Sequence, residues 1–230
     1  MKWGKFSALL LVAIVFTQCG KDAAPVSAPA MLPVDAPLIV RINDAEKFTA
    51  FSDSVSLPYV QAIDVAILNK YSNGPWTGAL VASGADKFDW IWTFKDTLGQ
   101  GGSMTENETI YSIDSLYGFK VGSTWTISKK SALLQDLLNQ RANGFSLAKD
   151  AQFSSLWNSA SKADVMNLFI QHKEIAPVGN QFFQHDWSWM TRVGAWSEID
   201  LALRKNKLIG TSVSLCPAST QVFLNTFTSS

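Results

Sequence analysis

Apolar residues along this chain recur at two spacings, two residues apart and three to four apart, and the alternation predicts short strands interleaved with helices. Leu38-Ile39-Val40-Arg41-Ile42 is a β-branched run of strand length. Asn43-Asp44-Ala45-Glu46 then has the form of a capping box, with Asn43 accepting from the backbone three residues on and Glu46 reaching back. A helix is expected through Phe48 and Phe51, and Pro58 opens another with Val60, Ile63 and Ile67 at helical spacing.

Several strands follow. Trp76 to Ser83 and Phe88 to Phe94 bracket Gly84-Ala85-Asp86-Lys87, a hairpin turn. In its second arm Trp90, Trp92 and Phe94 share one face, and Asp89, Ile91 and Thr93 the other. Thr109–Ile113, Leu116–Val121 and Thr124–Ser128 are short strands. Helices are expected over Ser131–Arg141, carrying Leu133, Leu134, Leu137 and Leu138, and over Asp150 to Ser159, with Phe153, Leu156 and Trp157 inward.

The order then restarts. Asp164–Ile170 is a strand, Gln171-His172-Lys173-Glu174 a polar start to a helix, and Trp196–Leu203 with Leu208–Leu215 a second hairpin. Strand, polar cap, helix and Trp-led hairpin is also the order of the first half, which suggests an internal duplication, with half-repeats over about 37–142 and 143–230. Pro217 starts a last predicted helix carrying Val222, Phe223 and Phe227. Hairpins with helices between groups of strands predict an α+β fold, a mainly antiparallel sheet packed with helices.

The first residues carry an address. Lys2 and Lys5 precede an uncharged apolar run, Ala8 to Thr17, and Cys19 follows at once. This is the layout of a bacterial secretory signal, too short to span a membrane, and it resembles a lipoprotein signal in which residues 1–18 are removed and Cys19 is lipidated. Phe16 and Gln18 depart from the usual lipobox, and cleavage after Ala28-Pro29-Ala30 is the alternative. Lys21-Asp22 resembles the charged tag that sends some lipoproteins to the cell surface. Residues 19–36, with three prolines before Ala36 and no periodicity, suit an extended tether. The expected location is therefore the cell envelope, as an outer-membrane lipoprotein, or the periplasm or medium if Cys19 stays unmodified.

Charge excludes one class of partner. Removing residues 1–18 takes two lysines and no acids, which turns a formal charge of zero into −2. No basic cluster marks a nucleic-acid surface. With Cys19 lipidated, Cys216 has no disulfide partner, and stability must come from an apolar core to which eight tryptophans contribute.

The opening Leu32-Pro33-Val34-Asp35-Ala36-Pro37, the segment from Gly144 to Phe153, with its Ser146-Leu147, Asp150 and Phe153 spacing, and the hairpin of Trp196, Asp200 and Gly210 together resemble an uncharacterised family of bacterial envelope lipoproteins. That resemblance implies no activity and no catalytic residues. Members are often longer, which makes the chain resemble an N-terminal module or a truncated form.

No catalytic constellation is visible. A nucleophile elbow is absent, and His172 and His185 are the only histidines. His172, Glu174, His185 and Asp186 are the sole local set of metal-ligand types and lack helical zinc spacing, so no metal or cofactor is expected. Gly99-Gln100-Gly101-Gly102 lacks the phosphate-loop lysine. Trp187, Trp189 and Trp196 form a candidate ligand platform for a sugar or an apolar partner, against the competing reading that they pack in the core. Asp200, between Ile199 and Leu201, is expected to face solvent or cap a turn. The reading is a non-enzymatic, lipid-anchored binding or scaffolding module with a protein or glycan partner. The alternatives are a glycan binder using the three tryptophans, and part of a larger hydrolase whose catalytic residues lie beyond Ser230.

Overall fold

The computed structural model describes residues 26–54, 65–84, 87–95, 109–113, 115–183, 185–204 and 207–215. Cys19, Cys216, the Gly99–Gly102 loop, the first part of the helix expected from Pro58 and the helix expected after Pro217 lie outside the described residues; the end of the Pro58 helix, with Ile67, is helical as expected. Nine strands build one sheet: β1 (Leu38–Ile42), β2 (Trp76–Gly84), β3 (Lys87–Lys95), β4 (Tyr111–Ile113), β5 (Leu116–Val121), β6 (Thr124–Ser128), β7 (Met166–Gln171), β8 (Trp196–Arg204) and β9 (Lys207–Leu215). Their order is β4-β5-β6-β3-β2-β1-β7-β8-β9, and every pair is antiparallel. With five α-helices among the described residues packed on it, the fold is α+β, as the patterning predicts.

Alternation along β1 sends Ile39 and Arg41 to one face and Val40 and Ile42 to the other. On the first face, Ile39, Ala79, Ile91 and Phe169 pack under α3 (Ser131–Ala142) and α4 (Ala151–Ser159). On the second, Val40, Ile42, Trp76 and Trp92 pack under α1 (Ala45–Ser54) and α2 (Val65–Tyr71), and Leu80 packs under α5 (Ile175–Phe183). Trp92 lies flat across β2 because residue 78 is glycine. A Cβ there would stand 2.6 Å from the indole.

The central pair is β1 and β7, and the flanking hairpins β2-β3 and β8-β9 lie on either side of it. Each half runs strand, helix, hairpin, and α1 and α5 cover the same face. Only the first half continues into β4, β5 and β6 within the described residues.

Two local expectations need correction. The cap of α1 is Asp44, not Asn43: the Asp44 carboxylate accepts from the backbone N–H of Lys47 at 3.0 Å, while Glu46 is exposed. Asn43 is instead turned inward, where its amide reaches Ser161, Asp164 and Asn167. The folded part also starts before Leu38. Ala28–Met31 forms a 3-10 turn, Met31, Leu32 and Ala36 are fully buried in the first-face core, and Arg141 donates to the Ala30 carbonyl at 2.7 Å. Proline and alanine made this segment resemble a tether, yet its apolar side chains have a core to enter.

Candidate functional site: a polar row and the cavity above it

Strand register assembles what the sequence scatters. Thr126, Thr93, Thr77, Arg41, Asn167 and Asp200 are successive cross-strand partners on β6, β3, β2, β1, β7 and β8. Partners in a ladder point to the same face, so a polar row crosses the first face of the sheet beside its apolar core.

Arg41 organises the row. It is 5% exposed, and its Nε donates to Asn167 Oδ1 at 2.8 Å. Its terminal nitrogens donate to the carbonyls of Trp157 at 3.0 Å and Ala160 at 3.1 Å. Those carbonyls belong to the last turn of α4, where backbone acceptors lack helical partners, so the guanidinium caps the helix and opposes its dipole. The indole of Trp157 lies 4.6 Å below the guanidinium carbon, a cation–π contact. Burial lowers the Arg41 pKa, and the charges of Glu198 and Asp200 raise it in part. The side chain nonetheless remains a cation.

Asp200 closes the network. Its Oδ1 accepts from Ser161 N at 2.9 Å and from the Asn167 amide. It therefore does not face solvent or cap its hairpin, as alternation with Ile199 and Leu201 suggests; it faces α4. Two residues before it, Glu198 is 3% exposed. Burial, a hydrogen bond to Asp200 and the Asp200 charge push its carboxyl up to about 8, against the opposing pull of Arg41 and Asn167. At neutral pH Glu198 is mostly protonated.

Above the middle of the row, from Arg41 to Thr93, lies a cavity of about 430 Å³. Its floor is Arg41, Thr77 and Thr93, with Lys95 and Thr124 at the strand ends. Trp157 and Lys162 wall it from the α4 side and Val26 from the N-terminal side, where Thr124 Oγ1 donates to the Val26 carbonyl at 3.2 Å. The hydroxyl of Thr93 is buried and has no hydrogen-bond partner. A second cavity, of about 260 Å³, opens beside α3 and is lined by Asp35, Asp136 and Glu174.

The three candidate tryptophans do not form one surface. Trp196 is 2% exposed in the first-face core, 4.9 Å from the ring of Phe153, and its Nε1 donates to Asp150 at 3.1 Å. Trp187 and Trp189 are together, with ring centroids 6.0 Å apart. Trp187 presses on the backbone of α5 at Gly179, and Trp189 is 56% exposed.

The histidines are also apart. His185 is exposed. His172 is buried, which lowers its pKa and keeps it neutral. Its Nε2 is 2.7 Å from Ser197 Oγ, which in turn contacts Ser214 Oγ. His172 Nδ1 has no partner, so no carboxylate orients the ring as a hydrolytic base requires. Among the described residues no three His, Cys, Asp or Glu side chains gather as a metal site.

No family model matches the chain, and no curated protein matches it. One solved structure with some likeness is titled "Structure of crystal form III of TP0453". It has a TM-score of 0.43 and 13% identity, over 90% of this chain and 86% of that one, too distant to carry an argument.

Proposed function

We propose that this chain is a lipid-anchored envelope protein, held at a membrane through Cys19, that binds a ligand or partner and performs no catalysis. The observation that carries the reading is the basic start, the apolar run and Cys19 in immediate succession. The fold favours Cys19 over the alternative cleavage after Ala30. That cut would remove Val26, Pro29 and Ala30, which hold Thr124, the core and Arg141, and would leave the buried Met31 as a charged N-terminus. Cleavage before Cys19 spares all of them. From Cys19 to Val26 the chain reaches at most ~25 Å, so this end of the sheet stays close to the anchor. No helix among the described residues is long and apolar enough to cross a membrane.

Lipid labelling in a Gram-negative host tests the anchor. Wild type incorporates labelled acyl chains and collects in the membrane fraction, and globomycin blocks the processing. Cys19→Ala loses the label and leaves the membrane, with an unchanged thermal midpoint. A labelled, membrane-bound Cys19→Ala would overturn the reading.

A second reading, glycan binding, is favoured by the exposed Trp189 next to Trp187. It is narrowed to those two rings, since Trp196 is buried.

A further inference from the structure

We propose that the cavity between the polar row and the end of α4 binds a small oxyanion, a carboxylate or phosphate, carried on a compact apolar body. The inference rests on the binding role above and names its ligand class.

Charge sets the sign. Among the described residues, the ionisable side chains lining the cavity are Arg41, Lys95 and Lys162, with no carboxylate. The cavity beside α3 is lined the opposite way, by three acids and no cation among the described residues. The chain as a whole is neutral, so the cationic lining is a local arrangement. Asp200 offsets part of the Arg41 charge but lines no part of this space. Lys95 and Lys162, both exposed at the rim, therefore supply the attraction.

Hydrogen-bonding capacity points the same way. Arg41 has five N–H donors, and three are accounted for by Asn167, Trp157 and Ala160. Thr93 holds its hydroxyl inside the lining without a partner. An unpaired buried hydroxyl is unfavourable; a ligand oxygen accepting from Thr93 would remove that cost. Trp157, Val26 and Pro75 give the apolar wall. A volume of about 430 Å³ suits a small molecule.

Phenyl phosphate is the probe, titrated calorimetrically into the full-length, detergent-solubilised protein, with phenol as the neutral control. We expect phenyl phosphate to bind at least ~10-fold more tightly than phenol, the scale of one or two well-placed charges. Lys95→Glu with Lys162→Glu should weaken it by a further ~10-fold at an unchanged thermal midpoint. Thr93→Val should weaken it several-fold. Benzoate binding in parallel would extend the class to carboxylates, and displacement of phenyl phosphate by phosphatidylglycerol vesicles would assign the source to a lipid headgroup rather than a free metabolite. No binding of phenyl phosphate, equal affinity for phenol, or undiminished affinity in the double variant would each overturn the proposal. Lipid labelling at Cys19 is read independently, so loss of the ligand site and loss of the anchored binding role are told apart.

Discussion

Arg41 shows how a residue's role depends on partners far along the chain. In Leu38–Ile42 it is a lone cation in an apolar strand, and local pattern singles out nothing about it. Pairing with Asn167, 126 positions away, and the approach of the α4 carbonyls make burial tolerable, since buried charge needs several donors satisfied at once. Asp200 departs from the sequence expectation for the same reason: alternation with Ile199 and Leu201 says only that it faces away from them, and α4 covers that other face. Glu198 gives the residue-scale prediction. An unfolded glutamate ionises near 4.5, and the folded group near 8. Below 4.5 both states hold the proton and nothing is lost. As pH rises towards 8 the unfolded chain releases a proton that the folded chain retains, so stability falls. Glu198→Gln removes this loss while keeping a donor towards Asp200. At about pH 9 the variant should exceed wild type by ~1–3 kcal/mol in urea unfolding, and at about pH 4 the two should coincide. Equal pH profiles would contradict the protonated, buried carboxyl.

At the scale of elements, most of the fold is legible in the sequence because its signals are local. The hairpins are given by apolar alternation around short turns, and Trp90, Trp92 and Phe94 do share the face that alternation assigns them. The Ser146-Leu147, Asp150 and Phe153 motif turns out to be a set of folding instructions. Ser146 Oγ accepts from Ala148 N, Leu147 and Phe153 are buried, and Asp150 accepts from Gln152 N and Phe153 N to cap α4. The other oxygen of Asp150 takes the Trp196 indole N–H, which ties α4 to the start of β8. Asp150→Ala removes a cap and leaves a buried donor unpaired, and should cost ~2–3 kcal/mol in chemical denaturation. Asp150→Asn keeps an acceptor for the cap but turns an NH2 donor toward the Trp196 indole N–H, so it should recover only the cap's share, about 1 kcal/mol. A cost below ~0.5 kcal/mol for alanine would show the cap to be dispensable. The capping box at α1 was legible to within one residue. Asn43 and Asp44 are both good caps by type, and the demand of Ser161, Asp164 and Asn167 for the Asn43 amide decides between them.

At the scale of the molecule, the sheet is two strand–helix–hairpin units set about the β1–β7 pair, with the segment from Val26 to Pro37 folded into the first-face core. The order of the units was legible in the sequence. The polar row, the cavity and the burial of Trp196 were not, because each is created by register between the units and by which face α4 covers. The core takes up the chain from Val26 onward, so the proposed anchor at Cys19 would hold the Lys95–Lys162 rim near a membrane. The account stands on where the mature chain begins. Intact-mass and N-terminal peptide mass spectrometry of the protein purified from the membranes of a Gram-negative host measures this directly. The account predicts a chain starting at Cys19 with a diacylglycerol thioether on its sulfur. A chain starting at Met31, or an unmodified Cys19, would contradict it.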